Sequence, residues 1–150
     1  MPLWRRFEML PDGNSLTPGS MLQSAELEKL DALQEHLSVC TRQFGLDSRR
    51  TGMLALALEE IFVNICHYAY PDSPGPVTLN CRSVGEQLVV EIVDQGKPFD
   101  LALIAEPDLT ADIETRKVGG LGWFLVRQVA DVLDCYREDG CNIVRLTLNR

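Results

Sequence analysis

One stretch, Met53–Tyr70 (MLALALEEIFVNICHYAY), constrains the fold more than any other. Leu54, Leu58, Ile61, Ile65 and Tyr68 recur at three- and four-residue steps, the period of one helical face. A helix with such a face needs a second layer to cover it. Within the same run, Glu60 and Asn64 stand four residues apart and so stack on one side of the helix. Burying a carboxylate and a carboxamide without partners costs several kcal/mol. The pair therefore either lies on a solvated face or lines a crevice, and the pattern further along favours the crevice.

A chain of 150 residues fits a single domain over 1–150, and one of that size buries roughly 68–70% of its unfolded surface. Its net charge of −8 argues against nucleic acid as the main partner, because no basic footprint offsets a phosphate backbone. A bound nucleotide then needs locally placed cations. The five cysteines (Cys40, Cys66, Cys81, Cys135 and Cys141) form no CxxC pair, and their odd count and scatter point to reduced thiols packed as small hydrophobes in a cytoplasm. With His36 and His67 as the only histidines, a His-based metal site is not expected. Nor is a membrane span, and Glu8, Pro11, Asp12 and Asn14 interrupt any signal peptide in Met1–Ser20.

Leu3–Leu10 suggests an edge strand, and the PDGNSLTPGS run after it a loop. A helix is expected from Ser20 or Ser24, with Leu27, Leu30, Leu33, Leu37 and Phe44 on its apolar face and Gly45 at its end. Asp47 or Ser48 caps the second helix, which stops at Pro71. Val77, Leu79 and Cys81 alternate with polar residues in a strand, and Val84-Gly85-Glu86 turns it into a second strand, Gln87–Asp94. Period-two counting puts Asp94 on the apolar side with Leu88, Val90 and Ile92. There it is either a strand-ending turn residue or a carboxylate aimed into a pocket. Leu101–Val118, without a clean period, reads as a lid that ends in Arg116 and Lys117. Gly119-Gly120-Leu121-Gly122 then opens a helix carrying Phe124, Val126, Val129 and Val132, and bare N–H groups at a helix start suit an anion. Finally, Asp139-Gly140 makes a hairpin that pairs Glu138 with Cys141 and Cys135 with Val144. Runs of strands with helices on one face imply a two-layer α/β sandwich, its crevice lying between helices and sheet.

Three boxes in order now stand out: Glu60-x-x-x-Asn64, Asp94-Gln-Gly-Lys-Pro-Phe-Asp100 and Gly119-Gly-Leu-Gly-Trp-Phe-Leu-Val126. They resemble the N, G1 and G2 boxes of the GHKL (Bergerat-fold) ATPases, and more narrowly those of the anti-sigma-factor serine/threonine kinases of bacterial partner switching. The likeness runs from Ser24 to about Leu148. It implies a mixed sheet with helices on one face, and ATP with magnesium as cofactors. Asn64 would hold the magnesium ion and Glu60 would act as general base toward a serine hydroxyl. Asp94 would accept from the adenine amino group, with Gly96 leaving room for the ring. Gly119-Gly120-Leu121-Gly122 would close on the phosphates, helped by the flexibility of Gly120 and Gly122, while Arg116 and Lys117 would neutralise developing charge. The implied substrate is a STAS-domain antagonist protein. A sigma factor or another regulator is the competing partner, and a homodimer the usual state.

Two departures accompany the resemblance. Tyr68 stands where many of these kinases carry a histidine, and the Gly-Thr expected before the last strand is not recognisable in Gly140-Cys-Asn-Ile. A nucleotide-binding module that sequesters its partner without phosphotransfer is therefore the alternative to an active kinase. A histidine-kinase catalytic domain is disfavoured, since His36 is only a weak phosphoacceptor candidate.

Overall fold

The computed structural model describes residues 19–98 and 120–150. The expected Leu3–Leu10 strand and the Leu101–Val118 lid lie outside the described residues. Among the described residues, five strands form one sheet: β1 (Ser20–Ser24), β2 (Pro76–Val84), β3 (Gln87–Asp94), β4 (Val132–Glu138) and β5 (Cys141–Asn149), in the order β1-β2-β3-β5-β4. Three helices, α1 (Leu30–Phe44), α2 (Ser48–Asn64) and α3 (Gly120–Val129), complete the two-layer α/β arrangement. A mixed sheet was expected, but every described pairing is antiparallel: β2–β3 and β4–β5 as hairpins, β1–β2 and β3–β5 across long connections.

The first difference from expectation falls at Ser20–Ser24, which forms strand β1 rather than the start of a helix. The free edge of β2 offers unpaired backbone groups, and β1 satisfies them, with Ser20 Oγ donating to Asn80 Oδ1 at 2.6 Å. Helix α1 begins only at Leu30, after a 3-10 turn at Leu27–Lys29 and without a side-chain cap. It ends as expected: Gly45 adopts φ 81° and donates its N–H to the Thr41 and Arg42 carbonyls.

Asp47 caps α2 by accepting from the Arg50 N–H at 2.9 Å. Leu54, Ala57, Leu58, Ile61 and Phe62 turn into the core. After Asn64 the helix widens into a π turn, Ile65–Ala69. The wider turn rotates the buried face by one position, so Ala69 is buried where Tyr68 was expected and Tyr68 stays 46% exposed. Together Ser48–Ala69 make a 22-residue helical run long and apolar enough to cross a membrane, contrary to the sequence expectation. Its apolar side chains instead form the centre of the core, against α1, α3 and the sheet.

The facing sheet surface is set by register. Leu79, Ile92 and Val144 stand side by side on β2, β3 and β5, as do Cys81, Val90 and Leu146. Trp123, Val126 and Val129 of α3 close the core from the helical layer. Helix α3 stops at Val129, and Val132 belongs to β4 rather than to a longer helix. Phe124, placed with the apolar face by spacing, is 39% exposed. The opposite sheet surface holds an ionic cluster: buried Glu91 accepts from Arg145 Nε at 2.8 Å and from Arg82 at 3.3 Å.

Candidate functional site

The site is organised by Asp94, the last residue of β3, which the antiparallel register sets opposite Val77 on one side and Asn142 on the other. It is only 4% exposed. The Gly96 N–H and Asn142 Nδ2 both donate to Asp94 Oδ1 at 2.9 Å. Oδ2 receives no hydrogen bond from the described residues, so one carboxylate oxygen is fixed and the other is left for a ligand donor. Burial holds the Asp94 carboxyl above its usual range, against the opposing pull of Asn142, the Gly96 N–H and the Arg137 charge. The Gly96 contact is the Asx turn expected of a strand-ending aspartate, and the Asn142 contact and burial are what set Asp94 apart from an ordinary turn residue.

The chain beyond Asp94 is tied to the end of the second helix. Lys97 donates its N–H to the Ala69 carbonyl at 2.9 Å, and Gln95 donates its N–H to Tyr70 Oη at 2.7 Å. Gly96 is the residue that allows this approach: a Cβ there would lie 2.4 Å from the Ala69 carbonyl oxygen. The side of Gly96 on which a Cβ would stand is thus filled by the helix end. The contact brings the π turn, and Asn64 at its start, to the Asp94 end of the sheet. Glu60 and Asn64 are both half-buried on this helix, one turn apart. Desolvation first, and then the neighbouring Glu59, raise the Glu60 carboxyl above its ordinary value. A carboxylate of raised basicity beside an amide oxygen can take a proton near a bound cation.

Gly120, Leu121 and Gly122 open α3, as the sequence led one to expect. Arg116, Lys117 and Gly119 lie outside the described residues. Sequence reasoning missed Asn142 and Arg137. Asn142 is 3% exposed, donates to Asp94 and to the Lys97 carbonyl at 2.8 Å, and accepts from Arg137 at 2.9 Å. Arg137 also donates to the Gly96 carbonyl at 3.0 Å. A signal existed: counting by twos from Val144, Leu146 and Leu148 places Asn142 on the apolar face of β5. His67 is exposed, in edge contact with Tyr68 at 6.0 Å, and takes no part.

A family model for the histidine kinase-like ATPase domain matches residues 23–148. The chain belongs to that family. The serine-protein kinase RsbW of Listeria monocytogenes is 29% identical over 96 residues, which is 61% of this chain and 61% of its own. The serine/threonine-protein kinase BtrW of Bordetella bronchiseptica is 28% identical over 114 residues, 75% of this chain and 78% of its own. The match to the Listeria relatives therefore spans about three fifths of their length. The resemblance to protein serine/threonine kinases within this superfamily is borne out by these names. Membership of an ATPase family carries ATP binding at the family level. The residues of this histidine kinase-like domain fit such a ligand, because a buried carboxylate with one oxygen unengaged needs a donor such as an exocyclic amino group.

Proposed function

We propose that the chain, as one domain over 1–150, is an ATP- and magnesium-dependent protein serine/threonine kinase of a bacterial partner-switching system. Its substrate is a serine or threonine on a STAS-domain antagonist. Its regulated partner is a sigma factor or another regulator, and it works in the cytoplasm as a homodimer. The observation that carries the reading is Asp94, buried and fixed through one oxygen, with the other unengaged among the described residues. Magnesium-bound ATP, when bound, supplies the transferable phosphoryl group.

Each residue then has a task that its surroundings support. Asp94 reads the adenine amino group, and Asn142 and the Gly96 N–H keep its carboxylate from rotating. Asn64 offers its amide oxygen to the cation, and Glu60 accepts the proton of the attacking hydroxyl, a role favoured by its raised pKa. The glycine-opened start of α3, with Gly119, Gly120, Leu121 and Gly122, receives the phosphates, and Arg116 and Lys117 supply positive charge there. The second reading, partner sequestration without phosphotransfer, rests on the Gly-Thr that is not recognisable in Gly140-Cys-Asn-Ile. Incubation with labelled Mg·ATP and a STAS-domain antagonist decides between them. Label on an antagonist serine or threonine, lost in Glu60→Gln, supports the kinase; nucleotide binding without transfer supports sequestration.

A further inference from the structure

Under α1, away from Asp94, three side chains scattered along the sequence come together. His36 and Cys40 lie one turn apart on α1, and Cys81 faces them from β2, with one ligand atom of each within 4.8 Å of the others. His36 Nε2 is 3.9 Å from Cys40 Sγ and 3.0 Å from the Gly19 carbonyl. The Gly19 carbonyl also accepts the Cys81 N–H at 2.8 Å, so one backbone group anchors both the imidazole and the strand. Gly19 has φ 97°, and a Cβ there would come within 2.4 Å of the Cys81 carbonyl oxygen, so this approach is reserved for glycine.

We infer that His36, Cys40 and Cys81 form a binding site for a thiophilic cation, zinc(II) first, held by one imidazole and two thiolates with a fourth position open to solvent. Tetrahedral zinc, with Zn–S of about 2.3 Å and Zn–N of about 2.0–2.1 Å, sets sulfur and nitrogen about 3.6 Å apart. The His36–Cys40 pair at 3.9 Å is close to that spacing, and the ion takes the place of the proton that Nε2 gives to the Gly19 carbonyl, the ring shifting its proton to Nδ1 while that carbonyl keeps the Cys81 N–H. A crevice of about 230 Å³, lined by Cys40 and Cys81 and rimmed by Gln43 and Ser83, lies beside the two sulfurs. Arg82 also lines it, but its guanidinium pairs with Glu91 at 3.3 Å. Binding releases the protons of the two thiols to solvent. Cys81 is four residues along β2 from Val77, the partner of Asp94, a strand distance of about 13 Å. This site is therefore separate from the proposed nucleotide site and does not depend on it.

Cobalt(II) added without oxygen to the reduced full chain tests the inference. The expected result is a 1:1 complex with a thiolate-to-cobalt charge-transfer band and visible bands of tetrahedral intensity, displaced by zinc(II). The same spectrum is expected from a variant with Cys66, Cys135 and Cys141 all changed to Ser. Cys40→Ser and His36→Gln, both at half-buried helix positions that tolerate substitution, should bind at least about 100-fold more weakly, since even outer-shell partners are worth 10–100-fold. Circular dichroism confirms that each variant is folded. Absence of the band in the wild type would overturn the inference. So would a band that survives Cys40→Ser in a folded chain, or a Cys40–Cys81 disulfide that forms even under reductant and excludes the metal.

Discussion

Asp94→Asn separates stability from binding in a way that only this geometry anticipates. Two N–H donors, from Gly96 and Asn142, meet Oδ1, so the substituted amide must place its oxygen there. Its NH2 then occupies the Oδ2 position and presents a donor where the proposed adenine amino group also presents donors. The loss of a charged hydrogen bond, about 1.5–3 kcal/mol, adds to a buried unsatisfied donor, about 1–3 kcal/mol. Nucleotide affinity should fall by about 100-fold or more, at roughly 1.4 kcal/mol per factor of ten. Stability should move the other way. The folded-state pKa of Asp94 lies above its unfolded value, so the folded chain holds this proton more tightly. Stability is then lost as pH rises from the unfolded pKa through the folded one, and the cost persists at neutral pH. Asparagine removes the charge and keeps both donors satisfied, so the variant should be as stable as wild type or more so, by on the order of 1 kcal/mol. Urea denaturation at pH 7 and calorimetric titration with Mg·ADP measure the two effects. A variant destabilised by more than about 1 kcal/mol that still binds Mg·ADP within threefold of wild type would refute the reasoning, since a lost charged acceptor and an unmet buried donor must weaken binding by more than that.

The remaining expectations concern the helix, the loop contact and the far sheet face. Glu60→Gln should lower phosphotransfer to a STAS-domain antagonist by about 10²–10⁴-fold with Mg·ADP affinity unchanged. In the wild type, the rate should rise with pH through a Glu60 pKa above the ordinary glutamate value, because only the deprotonated base acts. Gly96→Ala drives a Cβ into the Ala69 carbonyl and should destabilise the chain by about 1–3 kcal/mol; an unshifted urea midpoint would show that the helix end does not pack on this loop. Glu91→Ala removes the buried carboxylate that Arg145 and Arg82 share, and should cost about 3–5 kcal/mol. A loss below about 1 kcal/mol would mean the cluster is open to water.

Local chemistry was legible wherever the deciding contacts were close in sequence. The Asp47 cap, the Gly45 ending and the Asp139-Gly140 hairpin, with φ of 50° and 77°, each depend on a few neighbouring residues. The hairpin register, Glu138 against Cys141 and Cys135 against Val144, followed from that turn alone. The misreading at Ser20–Ser24 came from an edge the local residues cannot see, since β2 lies more than fifty positions away. The phase shift at Tyr68 arose from a π turn that a fixed helical period does not contain.

By itself, the sequence determined α2, the two hairpins, the two-layer class and the polar residues set into apolar runs: Glu60, Asn64 and Asp94. Those follow from short-range periodicity and from the cost of burying an unpaired charge. Tertiary structure alone decided what each polar group meets: Asn142 and Gly96 on one oxygen of Asp94, Ala69 against Gly96, and His36 with Cys40 over Cys81. Sheet order and the packing of helices on strands join residues that no spacing rule connects, because contact across a sheet depends on register between distant strands.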